Sequence, residues 1–203
     1  KNGLHNLYKH IDNIKNKFDL NVIVALNTYY TDTKEEIDFL TQKLKEKQIE
    51  ISIVEGWEKG GEGAIDIANK IVELANKNSN LNYMYELEDD IKTKILKVST
   101  KIYGAKNVIY SKEAEEQIEK INLFGYSNLP ICIAKTQYSF SDDPKNLECK
   151  NDYSINVKSV ELKAGAGFIV VIAGNIMTMP GLPKMPAAEN IDIDKDGNII
   201  GLF

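Results

Sequence analysis

Two short apolar runs separated by a helix-patterned segment constrain this chain more than any other feature. Asn21-Val-Ile-Val-Ala-Leu-Asn27 and Ile49 to Val54 are of strand length and rich in β-branched residues, as in strands buried on both faces. Between them, Thr33-Lys-Glu-Glu36 has the Ser/Thr-x-x-Glu form of a capping box and opens a helix with Ile37, Leu40 and Leu44 on one face. After the second run, Gly60-Gly61-Glu62-Gly63 leads into a helix carrying Ile65, Ala68, Ile71, Val72 and Ala75. Residues 21 to 77 thus read strand, helix, strand, helix. That alternation predicts an α/β fold: a parallel sheet of Rossmann-like βαβ units with right-handed crossovers and helices on both faces.

The flanks extend the pattern. Leu4, Leu7, Ile11, Ile14 and Phe18 repeat at helical spacing ahead of the first run. Leu87, Ile91, Ile95, Val98 and Ile102 predict another helix ended by Gly104, followed by a short strand at Val108 to Tyr110 and a helix marked by Ala114, Ile118 and Ile121. Beyond Phe124 the style changes to strands at Leu129 to Ala134, Ile155 to Leu162 and Phe168 to Ala173, with loop-like sequence between. Ile191 to Ile200 carries Asp-Gly at its centre, a hairpin signature. We therefore expect an α/β domain over residues 1–125 and a β-rich, loop-rich C-terminal segment over 126–203 packed on it.

Composition narrows the function classes. The net charge of −5 argues against broad nucleic-acid binding. All 25 basic residues are lysine, so bidentate guanidinium clamps on phosphate or carboxylate cannot come from this chain. The longest apolar run, Gly167 to Ala173, is far short of the roughly 20 residues a spanning helix needs, so no membrane partner is expected. Two distant cysteines, Cys132 and Cys149, suit a reduced, cytoplasmic setting, with Cys132 read as a small buried hydrophobe inside a strand. The chain begins at Lys1 rather than Met, and that start reads as a cut.

Chemistry-bearing residues cluster after strands. Asn27-Thr28-Tyr29-Tyr30 follows the first run, and Glu55-Gly56-Trp57-Glu58-Lys59-Gly60-Gly61, with the only tryptophan, follows the second. Ligands of open parallel sheets bind beyond the carboxyl ends of the strands. Two rings about 7 Å apart there would hold one flat heterocycle between them. Alternatively, Tyr29 and Trp57 cap the end of the sheet as packing. The glycines at 60, 61 and 63 form either an anion seat or a helix-entry turn, and they lack the Gly-Lys-Ser/Thr closure of a nucleotide loop.

Other candidates are weaker. His5 and His10 are five apart on one helix, a poor spacing for a metal pair, and no metal site is expected. Asp192, Asp194, Asp196 and Gly197 imitate the start of a calcium loop, but its twelfth position is Phe203 and not Glu, which leaves a turn. Ser139, Ser141, Asp142 and Asp143 have no histidine nearby in sequence for a catalytic triad. Lys135 follows a strand, where it either faces a pocket or is solvated. Lys135 to Pro144 and Met177 to Pro186 read as fixed backbone shapes of the kind that serve a site or an interface.

Together these segments resemble the C-terminal portion of the formate–tetrahydrofolate ligase family. The resemblance rests on Asn6-Leu7-x-Lys9-His10-Ile11, Thr31-Asp32-Thr33, Trp57-x-Lys59-Gly60-Gly61-x-Gly63, Leu129 through Pro144, Ala164-Gly-Ala-Gly-Phe168, Ile176 through Pro183, and Gly201-Leu-Phe203. It implies a longer, homotetrameric parent that joins formate to tetrahydrofolate with ATP and Mg²⁺ through formyl phosphate, giving 10-formyltetrahydrofolate, ADP and phosphate. It also implies that the nucleotide loop lies outside this chain, that this part is inactive alone, and that it carries no cofactor of its own. An alternative is an assembly module of the same enzyme that does not touch folate. By motif position, the aromatic pair that grips the pterin falls on Tyr29 and Trp57, with Asn27, Ile53, Gly60 and Gly61 around it; catalytic residues remain unassigned. The family commonly has Phe then Pro where this chain has Tyr29 and Tyr30, and Ala where it has Glu58.

Overall fold

The computed structural model describes residues 3–147, 152–177 and 184–201. Cys149, and residues 178–183 at the centre of the proline-rich stretch, lie outside the described residues. The elements run α1 (Leu4–Asp12), β1 (Val24–Asn27), α2 (Lys34–Glu46), β2 (Ile51–Val54), α3 (Gly56–Lys59), α4 (Ile65–Ala75) and α5 (Ile91–Val98). They continue with β3 (Asn107–Tyr110), α6 (Lys112–Leu123), β4 (Ile131–Ala134), β5 (Ser154–Lys163), β6 (Phe168–Ala173), β7 (Asp192–Ile193) and β8 (Ile199–Ile200). The protein is α/β, as the alternation predicts.

β1 and β2 pair in parallel, with Val24 opposite Ile51 and Asn27 opposite Val54, so both strands end side by side. The crossover between them is α2. Its capping box forms as read: Thr33 Oγ1 accepts from Glu36 N–H while the Glu36 carboxylate accepts from Thr33 N–H. Those bonds hold the Glu36 carboxyl below its usual range. On the other side of β2, Ser52 Oγ donates to Asp66 at 2.6 Å, and Lys70 pairs with Asp66 and donates to the carbonyl of Ile51. This chain of polar contacts fixes α4 against β2 where its side chains bury little apolar surface.

A four-stranded sheet has the order β3-β5-β6-β4. Its outer pairs are parallel and its central pair, β5 with β6, is antiparallel. β3 precedes residue 125, and it pairs with a strand that follows that residue. α5 and α6 cover one face, where Ile91, Ile95, Ile118 and Ile121 meet Ile155, Val157, Val160, Ile169 and Val171. The inward phase of β5 runs Ile155, Val157, then Val160, because a bulge between Val157 and Ser159 shifts the register.

The helix predicted from Leu87 begins later, at Ile91. Asp90 caps it by accepting from Thr93 N–H. A π-helical turn, Ser99–Tyr103, continues it to Gly104. α1 likewise passes into a π-helical turn, Asn13–Lys17. The two turns pack together, and Asn13 Nδ2 donates to the carbonyl of Ile102 at 2.9 Å.

Cys132 is exposed, against the expectation of burial. β4 is an edge strand, and its alternation turns Ile131 and Ile133 towards the core, which leaves Cys132 on the opposite face.

Candidate functional site

The ladder between β1 and β2 extends one residue beyond β1, where Thr28 N–H donates to the carbonyl of Val54, the last residue of β2, at 3.1 Å. From there the two chains diverge. After β1, Tyr29 N–H donates to Asp32 Oδ2 at 2.8 Å and Asp32 N–H donates back to the carbonyl of Tyr29, closing a tight turn. That turn presents Tyr29 and Tyr30 just ahead of the Thr33 cap. After β2, the short helix α3 places Trp57, and its indole N–H donates to the carbonyl of Thr28 at 2.5 Å. One loop thus clamps the ring of the other.

The consequence is an aromatic pair. Tyr29 and Trp57 lie with ring centroids 6.2 Å apart and planes 16° from parallel. Neither ring is buried: Tyr29 is 56% exposed and Trp57 52%. Tyr30 approaches Trp57 edge-on, with centroids 6.3 Å apart and planes at 61°. Asn27 Nδ2 donates to the Tyr29 hydroxyl at 3.3 Å. Both rings are about half open to solvent, and Trp57 also packs over the end of β1 through its bond to Thr28. Sequence reasoning missed the Tyr30 contact; the Tyr29-Tyr30 doublet was the only signal for it.

The other predicted site residues divide. Ile53 lies on β2 opposite Leu26 and is exposed. Gly60 and Gly61 belong to a 3-10 turn, Gly60–Ala64, which folds back so that Glu55 N–H donates to the carbonyl of Gly63 at 3.1 Å. A Cβ on Gly63 would lie 2.5 Å from the backbone of Glu55, so the glycine is required by close approach. Lys59 pairs with Glu55 along α3, just ahead of this turn, at 2.6 Å, and that bond raises the lysine pKa. The segment is a short turn packed on the end of β2 through Gly63, and it lacks the Lys-Ser/Thr pair that closes a nucleotide loop.

The loop after β4 is ordered by its own polar groups. Lys135 Nζ donates to the carbonyls of Thr136, Ser139 and Ser141. Ser139 Oγ donates to the carbonyl of Asn146 and Ser141 Oγ to that of Asp143, so both hydroxyls hold turns. Asp142 accepts from Asn156 N–H and Nδ2, each at 2.8 Å. Sequence order hid one neighbour: His10 of α1 packs on Phe140 of this loop, with ring centroids 4.5 Å apart. Burial, and then the charge of Lys135, lower the His10 pKa.

Among the described residues, no three of His, Cys, Asp and Glu converge where a metal ion could be held. Asp194 instead accepts from Asp196 N–H and from Asn198 N–H and Nδ2, forming the turn between β7 and β8. Among the described residues, no helix is long and apolar enough to cross a membrane.

Comparison with known proteins places this arrangement in context. The sequence model described as formate–tetrahydrofolate ligase matches residues 1–203. A protein of that name from Campylobacter concisus is 48% identical over 202 residues, which is 100% of this chain and 37% of the relative. One from Petrotoga mobilis is 48% identical over 200 residues, covering 98% of this chain and 36% of the relative. One from Limosilactobacillus reuteri is 44% identical over 204 residues, covering 100% and 37% respectively. The chain thus spans a little over a third of the length of these curated relatives.

Proposed function

The chain belongs to the formate–tetrahydrofolate ligase family, and we propose that it supplies the folate-binding side of such an enzyme. The observation that carries the proposal is the near-parallel pair of exposed rings, Tyr29 and Trp57, at the carboxyl ends of adjacent parallel strands. That is where α/β sheets receive ligands, and a pteridine is a flat heterocycle suited to lie between two aromatic faces. One heterocycle at about 3.5 Å from each face needs about 7 Å between rings, and the pair is set at 6.2 Å. The slot must therefore open by at least roughly 0.8 Å. Trp57 is held by its bond to Thr28, so the movement falls on Tyr29, whose ring is tethered only by the 3.3 Å contact with Asn27.

The family name implies joining formate to tetrahydrofolate. ATP and Mg²⁺ would act on parts of the enzyme outside these 203 residues. A phosphoryl transition state needs positioned cationic clamps and a phosphate cradle. The chain has no arginine, and its glycine turn lacks the Lys-Ser/Thr pair that closes a nucleotide loop. The 203-residue chain should bind tetrahydrofolate but show no formate- and folate-dependent ATP hydrolysis above blank. Turnover by the chain alone would overturn the division of labour.

One observation favours a second role, in assembly. α4 buries none of its side chains, and Ile65, Ile71 and Val72 are exposed along it. An apolar stripe of this kind fits an interface within a larger enzyme. Failure to bind tetrahydrofolate, with self-association lost in an Ile71→Asp, Val72→Asp double variant, would select this role over the first.

A further inference from the structure

The loop after β4 forms a cavity that shares no residue with the aromatic pair. It measures about 430 Å³ and is lined by α1, the end of the π-helical turn at Tyr103, and residues 133 to 140. Small-molecule sites occupy roughly 300–1,000 Å³, so the volume suits a small organic ligand.

Its shape is fixed in advance. The loop is pinned at three places: Lys135 to three of its own carbonyls, Asp142 to Asn156, and Leu147 to α1 through Asn6 Nδ2 at 3.0 Å. Close contact adds to this. A Cβ on Gly174 would lie 2.4 Å from the carbonyl oxygen of Asp142, so the loop presses directly on the chain leaving β6. A pinned loop at the carboxyl end of a sheet strand costs little to order when a ligand arrives.

The lining has one sign of charge. Among the described residues, Lys135 is its only formally charged side chain and no carboxylate borders the cavity. Its ammonium protons are taken by carbonyls, so it acts on a ligand through its field and not as a donor. Carbonyl dipoles solvate the ammonium without cancelling its charge, and a half-buried cation favours a counter-ion. Donors come from elsewhere: the His10 imidazole, the Gln137 side chain, and the Gln137 and Phe140 backbone N–H groups, which pair with nothing among the described residues. The rings of Tyr103, Phe140 and His10 supply flat apolar walls.

We propose that this cavity binds a small organic anion with a flat, unsaturated body. The carboxylate lies in the field of Lys135 within reach of His10, and the body lies against the aromatic walls.

The test uses the 203-residue chain and three probes followed by amide chemical shifts. Benzoate carries both features, benzamide the shape without the charge, and acetate the charge without the ring. Benzoate should give saturable shifts at residues 136 to 140, with benzamide and acetate each at least about tenfold weaker. His10→Ala should weaken benzoate at least about fivefold while the shifts of residues 141 to 147 stay as in the parent chain. Lys135→Met removes the charge, and because it could also release the loop, His10→Ala decides the matter if that variant loses its fold. The proposal is overturned if benzoate up to about 50 mM gives no saturable shift. Equal binding of benzoate and benzamide, shifts confined to other parts of the chain, or indifference to His10→Ala would overturn it too.

Discussion

Replacing Tyr29 with alanine removes one wall of the aromatic pair and leaves the reporter, Trp57, in place. Tyr29 is 56% exposed, so truncation opens no core cavity and the fold should survive. Losing one aromatic face from a stacked heterocycle typically costs about 1–3 kcal/mol. The lower part of that range applies here. The intact slot, with centroids 6.2 Å apart, must open before a ring can enter, and the alanine variant has nothing to open. A loss of about 1–2 kcal/mol corresponds to a dissociation constant raised about five- to thirtyfold. The chain has a single tryptophan, so its emission reports on the slot without ambiguity. Titration with tetrahydrofolate under anaerobic conditions should quench that emission saturably in the parent chain. Tyr29→Phe keeps the ring and should stay within about threefold of the parent. If Tyr29→Ala binds tetrahydrofolate as tightly as the parent, the phenol is not a wall of the site.

Three further expectations concern stability. Gly63→Ala forces a methyl to within 2.5 Å of the Glu55 backbone, and overpacking of this kind costs about 1–3 kcal/mol; thermal unfolding should show the loss, with a shift in Trp57 emission as the turn moves. Lys94 is fully buried and donates to the carbonyls of Ser127 and Leu129, so Lys94→Ala leaves a cavity and two orphaned acceptors, at a cost of about 3–5 kcal/mol by chemical denaturation. His10 has a folded pKa below its ordinary value, so the native state binds fewer protons than the unfolded one as pH falls below about 6.5. Stability should therefore fall with acidification from that point down to the lowered folded pKa. His10→Asn should remove this component, and an unchanged pH dependence would show that the imidazole does not contribute.

Much of the fold was legible because its signals are local. The capping box at Thr33 and Glu36 requires only two residues at fixed spacing, and the Asp-Gly turn before Ile199 requires only its own backbone and the neighbouring Asp194 carboxylate. Strand pairing across distance was not legible. Nothing in Asn107–Tyr110 says that its partner is β5, which follows more than forty residues later and enters the sheet ahead of β4 in spatial order. The exposure of Cys132 follows from the same gap, since facing in or out depends on strand order and not on the apolar run. The π-helical turns after Asp12 and Val98 kept their apolar residues at near-helical spacing and so passed as ordinary helix.

The candidate site divides along the same line. Rings at the ends of two adjacent parallel strands could be read from the alternation alone. The hydrogen bond from Trp57 to the carbonyl of Thr28, which sets the ring orientation, depends on a three-dimensional meeting of two loops. The approach of His10 to Phe140 spans 130 residues of sequence and left no local trace.

The central claim is that Tyr29 and Trp57 receive a pteridine between their faces. A crystal structure of the chain, or of a ligase containing it, with tetrahydrofolate bound tests it most directly. The account predicts the pteridine between the two rings, with the Tyr29 ring displaced outward from its 6.2 Å separation to at least about 7 Å and the Trp57 bond to Thr28 intact. A pteridine seated elsewhere, with the two rings still at their unliganded separation, would contradict it.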